Sequence, residues 1–296
     1  MSDLQSFKNV DLYSCVESTE YSWKITCERE ALPDDSSVPI YFILDSGNQG
    51  AFSHWVYENS TWLPAYLKTR EKYPSCRLVI EEWKDFKKLY LNFYGISLSD
   101  VCLHSEICSP NYCIFHTYTS LNDTEISDVY YRNVISYKER LDSYTVQKDI
   151  PILYLPRGRK ENLQGPNNRQ YNIQDDLKQY VSELGGLVYE TDTTTSLETQ
   201  ILLVKRAHLV ILDYGSNLWV NGLFAKNSHI VCLNIGWNQH PQFPSLGVLW
   251  NIISNVNSIH QIFAHNSSSQ GENDVPTVNF YMPEILHTIQ GVLMRI

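Results

Sequence analysis

No apolar run in this 296-residue chain reaches the roughly 18 residues that a membrane-crossing helix needs. Positive charge is scarce too. Lys and Arg number 23 against 33 Asp and Glu, giving a net charge of −10 with no basic stripe to offset it. That balance argues against a nucleic-acid binder. The seven cysteines, at 15, 27, 76, 102, 108, 113 and 232, form no CxxC pair. A zinc site is therefore not expected, and reduced, buried thiols are. The chain has neither a P-loop nor a GxGxxG fingerprint, so ATPases and ordinary dinucleotide dehydrogenases fit poorly. Residues 1–10 are polar and carry no signal-peptide core. The expectation is a soluble, cytoplasmic protein without repeats.

What is present reads as α/β. Hydrophobic residues make up 43% and charged residues 19%, which suits an ordered globular chain long enough for one large or two medium domains. Apolar runs at 39–45, 77–82, 101–103 and 112–116 predict strands. Between and after them, 51–73 (divided at Pro64), 85–94 (closed by Gly95) and 129–145 predict helices. A second series follows. Strands are predicted at 152–155, 187–190, 209–212 and 229–235. Helices are predicted at 173–184 with Asn172 as N-cap, at 196–206 with a Thr195/Glu198 capping box, after Gly215, at 245–255 and at 284–294. Residues 277–281 look extended, and the first 35 or so read as a peripheral lead-in.

Two successive blocks of alternating strands and helices imply two parallel-sheet domains. The boundary is expected within 144–150, giving domains of 1–147 and 148–275. A segment at 276–296 is free to pack back on the first. Ligands of such folds bind at strand carboxyl ends, here expected in an inter-domain cleft.

Two elements of the second block seek anions. Leu209-Val210-Ile211-Leu212-Asp213 is followed by Tyr214-Gly215-Ser216-Asn217 and a helix. Such a turn presents backbone N–H groups at the positive end of a helix dipole. It reads equally as an ordinary strand-to-helix turn. Leu155-Pro156-Arg157-Gly158-Arg159 places two guanidinium groups at another strand end, where their planar forks suit a diphosphate or a surface salt bridge.

Three motifs in order carry a resemblance. The first is Gly47-Asn48-Gln49-Gly50-Ala51-Phe52-Ser53-His54-Trp55-Val56-Tyr57-Glu58-Asn59 with Leu63-Pro64. The second is Leu155 to Arg159 with Arg169-Gln170-Tyr171-Asn172. The third is Ser196-Leu197-Glu198-Thr199-Gln200, then Ala207-His208 and the Tyr214-Gly215-Ser216-Asn217 turn. Over residues 40–236 the chain resembles glycosyltransferase family 61. The resemblance implies a GT-B type fold of two Rossmann-like domains, with the donor nucleotide on the second. It implies inverting transfer from a UDP-sugar to a glycan hydroxyl, with xylose a mild preference as donor sugar. Arg157, Arg159, Ser196, Glu198, Gln200, Tyr214, Gly215, Ser216 and Asn217 would bind the donor. Asn48, Gln49 and Trp55 would bind the acceptor. The family's turn usually carries His-Gly, where this chain has Tyr214.

Residue chemistry adds the base. His54 falls in a first helical turn, where the dipole keeps an imidazole neutral and able to take a proton from an acceptor hydroxyl. Glu58, four residues on, either orients His54 or is the base itself. The same pair also reads as a helix-start histidine and a solvated carboxylate. The chain contains no Asp-x-Asp, the motif that commonly holds a metal on a diphosphate in GT-A enzymes, so no metal or other cofactor is expected. Two rival readings are a non-catalytic carbohydrate-binding protein on a degenerate GT-B fold and a GDP-sugar-dependent fucosyltransferase.

Overall fold

A computed structural model describes residues 5–8, 10–14, 21–25, 37, 39–44, 55–107, 112–116, 135, 138–156, 170–190, 196–235, 250, 252–255, 257–268 and 277–296. The chain divides into two compact units, Met1–Tyr137 and Lys138–Ile296. Both are α/β. The pair of Rossmann-like units that a GT-B type fold requires is present.

The first unit is built on a five-stranded sheet. Its strands are β1 (Gln5–Lys8), β4 (Ile40–Leu44), β5 (Arg77–Ile80), β6 (Val101–Leu103) and β7 (Tyr112–His116), in the order β1-β7-β4-β5-β6. All neighbours are parallel except β1, which runs antiparallel along β7. Strand β4 is nearly all apolar because it is covered on both faces; Ile40, Phe42, Ile43 and Leu44 have no exposed surface. The lead-in also supplies a separate hairpin, β2 (Val10–Ser14) with β3 (Tyr21–Ile25).

The single helical region expected over 51–73 is three pieces where it is described. A π-turn (Trp55–Asn59) and a 3₁₀ turn (Ser60–Trp62) precede α1 (Leu63–Lys72), where Pro64 sits in the first turn. Proline is tolerated there because that N–H has no helical acceptor. Helix α2 (Asp85–Phe93) ends as expected at Gly95, whose φ is +69°. The Gly95 N–H donates to Asn92 O at 2.9 Å and the Ile96 N–H to Leu91 O at 2.9 Å, a Schellman closure.

The second unit has an all-parallel sheet: β8 (Ile150–Leu155), β10 (Leu187–Val188), β11 (Ala207–Asp213), β12 (His229–Asn234) and β13 (Ser258–Phe263). The order is β10-β8-β11-β12-β13. Connections from β8 and β11 therefore leave in opposite directions, which makes the β8/β11 junction a topological switch point. The crossover helices are α3 (Gln174–Glu183), α4 (Leu197–Arg206) and α5 (Ser216–Phe224).

The last helix, α6 (Met282–Leu293), spends its apolar face within this unit. Ile285, Ile289 and Val292 join Ile152, Ile211, Val231 and Leu233 of the sheet and Leu177 and Val181 of α3 in one core. Each such buried side chain contributes about 1.5–3 kcal/mol. The apolar face of the segment 276–296 is thus taken up in the core of the second unit.

A small sheet, β14 (Asn266–Ser268), β15 (Thr277–Asn279) and β9 (Gln170–Tyr171), borders the unit. Here Asn172 does something other than cap α3, whose N-cap is Ile173. Its Nδ2 donates to Phe280 O at 3.1 Å, and its Oδ1 accepts the Phe280 N–H at 2.8 Å. The side chain thus extends the β9–β15 pairing by one rung, 108 positions across the sequence.

Asn172→Ala removes both bonds and leaves the buried Phe280 amide without its acceptor. Unfolding free energy is expected to fall by about 1–3 kcal/mol in denaturant titration, with Asn172→Asp, which keeps the acceptor, falling less.

Candidate functional site

The carboxyl edge of the second sheet brings several of the expected residues together. Strand β11 ends at Asp213, which is buried. The Tyr214 N–H then donates to Leu233 O at 3.0 Å, pinning the turn to the end of β12. Gly215 adopts φ +118° and ψ −147°, a conformation essentially reserved for glycine. It reverses the chain so that α5 starts at once, with the Trp219 N–H donating to Gly215 O at 3.0 Å. The N–H groups of the first turn of such a helix have no acceptors within it and point outward at its positive end.

Asn217 joins this turn to the neighbouring strand. Its Nδ2 donates to Leu155 O, the last residue of β8, at 2.7 Å. Its Oδ1 accepts from Asn221 Nδ2 at 2.6 Å. The amide is thus held inward, and its backbone N–H is what it offers at the helix start. The consequence is geometric. The point where the chain leaves β8, two residues before Arg157, is tied to the start of α5. Arg157 and Arg159 themselves lie outside the described residues.

Other predicted donor residues divide by role. Helix α4 follows β10 and so starts at the same carboxyl edge. Ser196 is its N-cap, with Oγ accepting the Thr199 N–H at 3.1 Å and lying 2.7 Å from Thr199 Oγ1. The cap therefore stands one residue later than the Thr195/Glu198 box predicts, because Ser196 is the residue with extended backbone at the helix start. That leaves Glu198 exposed, while Gln200 is buried. Tyr214 is half buried, its ring meeting Trp219 edge-on at 5.6 Å, and burial raises its hydroxyl pKa. The phenol stays protonated at neutral pH. Trp219 in turn meets Trp250 at 6.3 Å. Ser216 heads α5, and its side chain is not described.

In the first unit, Asn48, Gln49 and His54 lie outside the described residues. Glu58 falls within the π-turn, a wider coil than the α-helix from which its register with His54 is predicted; its side chain is not described. Trp55 is fully buried, so its ring packs in the unit and presents no face on which a sugar can stack. The Lys87 ammonium sits 5.1 Å from its centroid and donates to Glu82 O at 3.0 Å. Burial pushes the Lys87 pKa down to about 8, against the pull of Glu82 and Glu81. Beyond β6, buried His104 is pushed down to about 4 by burial and by Lys87, so it is neutral near pH 7.

Lys87, His104 and Asp213 were not singled out by the sequence. Two of them carried a signal. Lys87 shares the i, i+3, i+4 stripe of α2 with buried Tyr90 and Leu91, and Asp213 ends an unbroken apolar strand. His104 carried none. Among the described residues no three His, Cys, Asp or Glu side chains gather as a metal ion would need, and no helix is long and apolar enough to cross a membrane.

The Gly215 conformation yields a direct expectation. An added Cβ would meet nothing within 4 Å, so the cost of Gly215→Ala is backbone strain alone. Urea unfolding should show a loss of about 1–3 kcal/mol. An unchanged midpoint would mean that the turn relaxes into an ordinary αR or β form.

No family model matches the chain, and no curated protein matches it in sequence. Among solved structures it is similar to ADP-heptose LPS heptosyltransferase II of E. coli, at 11% identity, over 87% of this chain and 99% of that one, with a TM-score of 0.37. A superposition that loose carries no statement about activity.

Proposed function

We propose that this protein is a glycosyltransferase that moves a sugar from a nucleotide-activated donor to a hydroxyl of a glycan acceptor. The observation that supports the reading most is the β8/β11 switch point. There a glycine-only turn and a helix start are bonded through Asn217 to the strand end that leads into Arg157. Parallel α/β sheets bind ligands at such crevices. A helix N-terminus beside guanidinium groups suits a diphosphate. The order of the three sequence motifs supports the same reading.

In this scheme the diphosphate of a UDP-sugar lies against the backbone N–H groups of Gly215, Ser216 and Asn217. Arg157 or Arg159 neutralises its charge. His54, or Glu58, takes the proton from the acceptor hydroxyl as that oxygen attacks the anomeric carbon. The bond between that carbon and the diphosphate oxygen breaks, UDP leaves with the electron pair, and the anomeric configuration inverts. A single base suffices. The fixed N–H groups and guanidinium charge stabilise the leaving group without a metal. Xylose is the donor sugar we favour.

Calorimetry with UDP, GDP, CMP and ADP, with and without EDTA, tests the donor half. UDP-selective binding that survives EDTA is expected, weakening tenfold or more in Arg157→Ala or Arg159→Ala. Selective GDP binding would transfer the reading to a GDP-sugar enzyme. Binding of none of the four would contradict it.

The chemical half is tested by turnover of a UDP-sugar panel, UDP-xylose included. His54→Ala should lower turnover by about 10²–10⁴-fold while UDP binding is retained. Unaltered turnover would remove His54 from the mechanism. A parent protein that binds UDP and turns over no donor would favour the non-catalytic reading, to which the inward packing of Tyr214 against Trp219 lends support.

A further inference from the structure

The opposite edge of the second sheet has an unusual charge arrangement. Three ammonium groups share one carboxylate. Lys138 Nζ lies 3.4 Å from Asp142 Oδ1, Lys205 Nζ lies 3.5 Å from the same oxygen, and Lys226 Nζ lies 3.3 Å from Oδ2. The side chains of Lys138 and Lys205 are 7% and 5% exposed, whereas Lys226 is 47% exposed. A fourth ammonium, Lys148 Nζ, donates to Ala207 O at 2.6 Å and to Ser228 Oγ at 2.6 Å, with no carboxylate beside it among the described residues. Ser228 Oγ also donates to the backbone carbonyl of Lys226 at 3.5 Å, so the Lys148 ammonium reaches the loop that carries Lys226.

A histidine pair adjoins this cluster, with Lys148 near His229. His229 and His260 stand with ring nitrogens 3.4 Å apart. Burial lowers the pKa of both, and nearby Arg295 lowers it further. Arg206 adds nothing to the excess, because both of its bonds, at 2.7 Å, go to the Asp149 carboxylate.

Four lysines, Lys138, Lys148, Lys205 and Lys226, thus stand at this end of the sheet, and the three of them that are ion-paired share the one carboxylate of Asp142. In the whole chain Asp and Glu outnumber Lys and Arg by 33 to 23. The three ammoniums around Asp142 lie within a Debye length of one another (about 8 Å in physiological salt), so dissolved ions screen them poorly. Burial lowers the pKa of Lys138 and Lys205 against the pull of Asp142, and burial with the nearby Lys205 charge lowers that of Lys148 to about 8. Burial alone would raise the Asp142 carboxyl, but Lys138, Lys226 and Lys205 outweigh it and hold it low.

We propose that this amino-terminal edge of the second sheet binds a phosphate group, seated on Lys226 and Lys148 above the Lys138–Asp142–Lys205 cluster. The edge lies at the far ends of β8, β11 and β12 from Gly215. Strands of six or seven residues at about 3.3 Å per residue separate the two sites by roughly 20 Å. This site is therefore independent of the diphosphate site proposed above. A phosphorylated small molecule and an anionic lipid headgroup offer the same chemistry.

Calorimetry with inorganic pyrophosphate, run with UDP present, tests the proposal. The parent protein should bind it, and Lys226→Glu should weaken binding tenfold or more without altering UDP affinity. Asp142→Asn removes the competing carboxylate. Its pyrophosphate affinity should rise, and any loss in its melting temperature should be recovered by pyrophosphate. A purely structural ion cluster predicts destabilisation without that recovery.

Co-sedimentation with vesicles of phosphatidylglycerol in phosphatidylcholine, abolished by Lys226→Glu, would assign the phosphate to a lipid headgroup. Pyrophosphate binding without co-sedimentation would assign it to a soluble ligand. Neither pyrophosphate nor vesicle binding, or binding that is equal in the parent and Lys226→Glu, overturns the proposal.

Discussion

The hydrogen bond from Asn217 to Leu155 O is the constraint around which the candidate donor site is arranged. Parallel strands alone would set the ends of β8 and β11 side by side, but they would not fix how the chain leaves either strand. The Asn217 amide does so, because it reaches across from the first turn of one crossover helix to the terminal carbonyl of the adjacent strand. Asn221, one helical turn on, holds that amide in place from behind. Gly215 makes the reach possible, since its conformation lets α5 start immediately after β11. Tyr214, bonded to Leu233 O, keeps the same turn in step with β12. Three adjacent strand ends are thereby coordinated by one tetrapeptide.

The first unit solves a different problem. Its candidate catalytic segment leads into a π-turn whose Trp55 is sealed in the core, with a buried lysine against its ring. Lys87 donates to Glu82 O and regains at the π face part of what it loses in hydration, and its lowered pKa records the remaining cost. Trp55 thus reads as an anchor for the turn after His54 rather than as a surface for a sugar.

Much of the fold was legible because it rests on local pattern. The apolar runs of β4, β8, β11 and β12 announce strands covered on both faces, and Gly95 and Gly215 mark chain reversals that only glycine takes easily. What escaped depends on partners far away in sequence. Asn172 reads as a helix cap until Phe280 is beside it. Asn217 reads as a ligand donor until Leu155 takes its amide. The terminal helix is amphipathic whichever sheet receives it, and its sequence does not name that sheet. Ser196 and Thr195 are both good caps by sequence, and it is Ser196 whose Oγ accepts the Thr199 N–H. The excess of lysines around Asp142 is likewise invisible in a chain whose overall charge has the opposite sign.

The account turns on whether the Gly215 turn receives a diphosphate. Amide hydrogen exchange of the full chain, measured with and without saturating UDP, tests this most directly. Slowed exchange confined to the peptide spanning 214–218 and the segment following Leu155 is the predicted result. UDP binding that leaves 214–218 unchanged and protects another region would contradict the account.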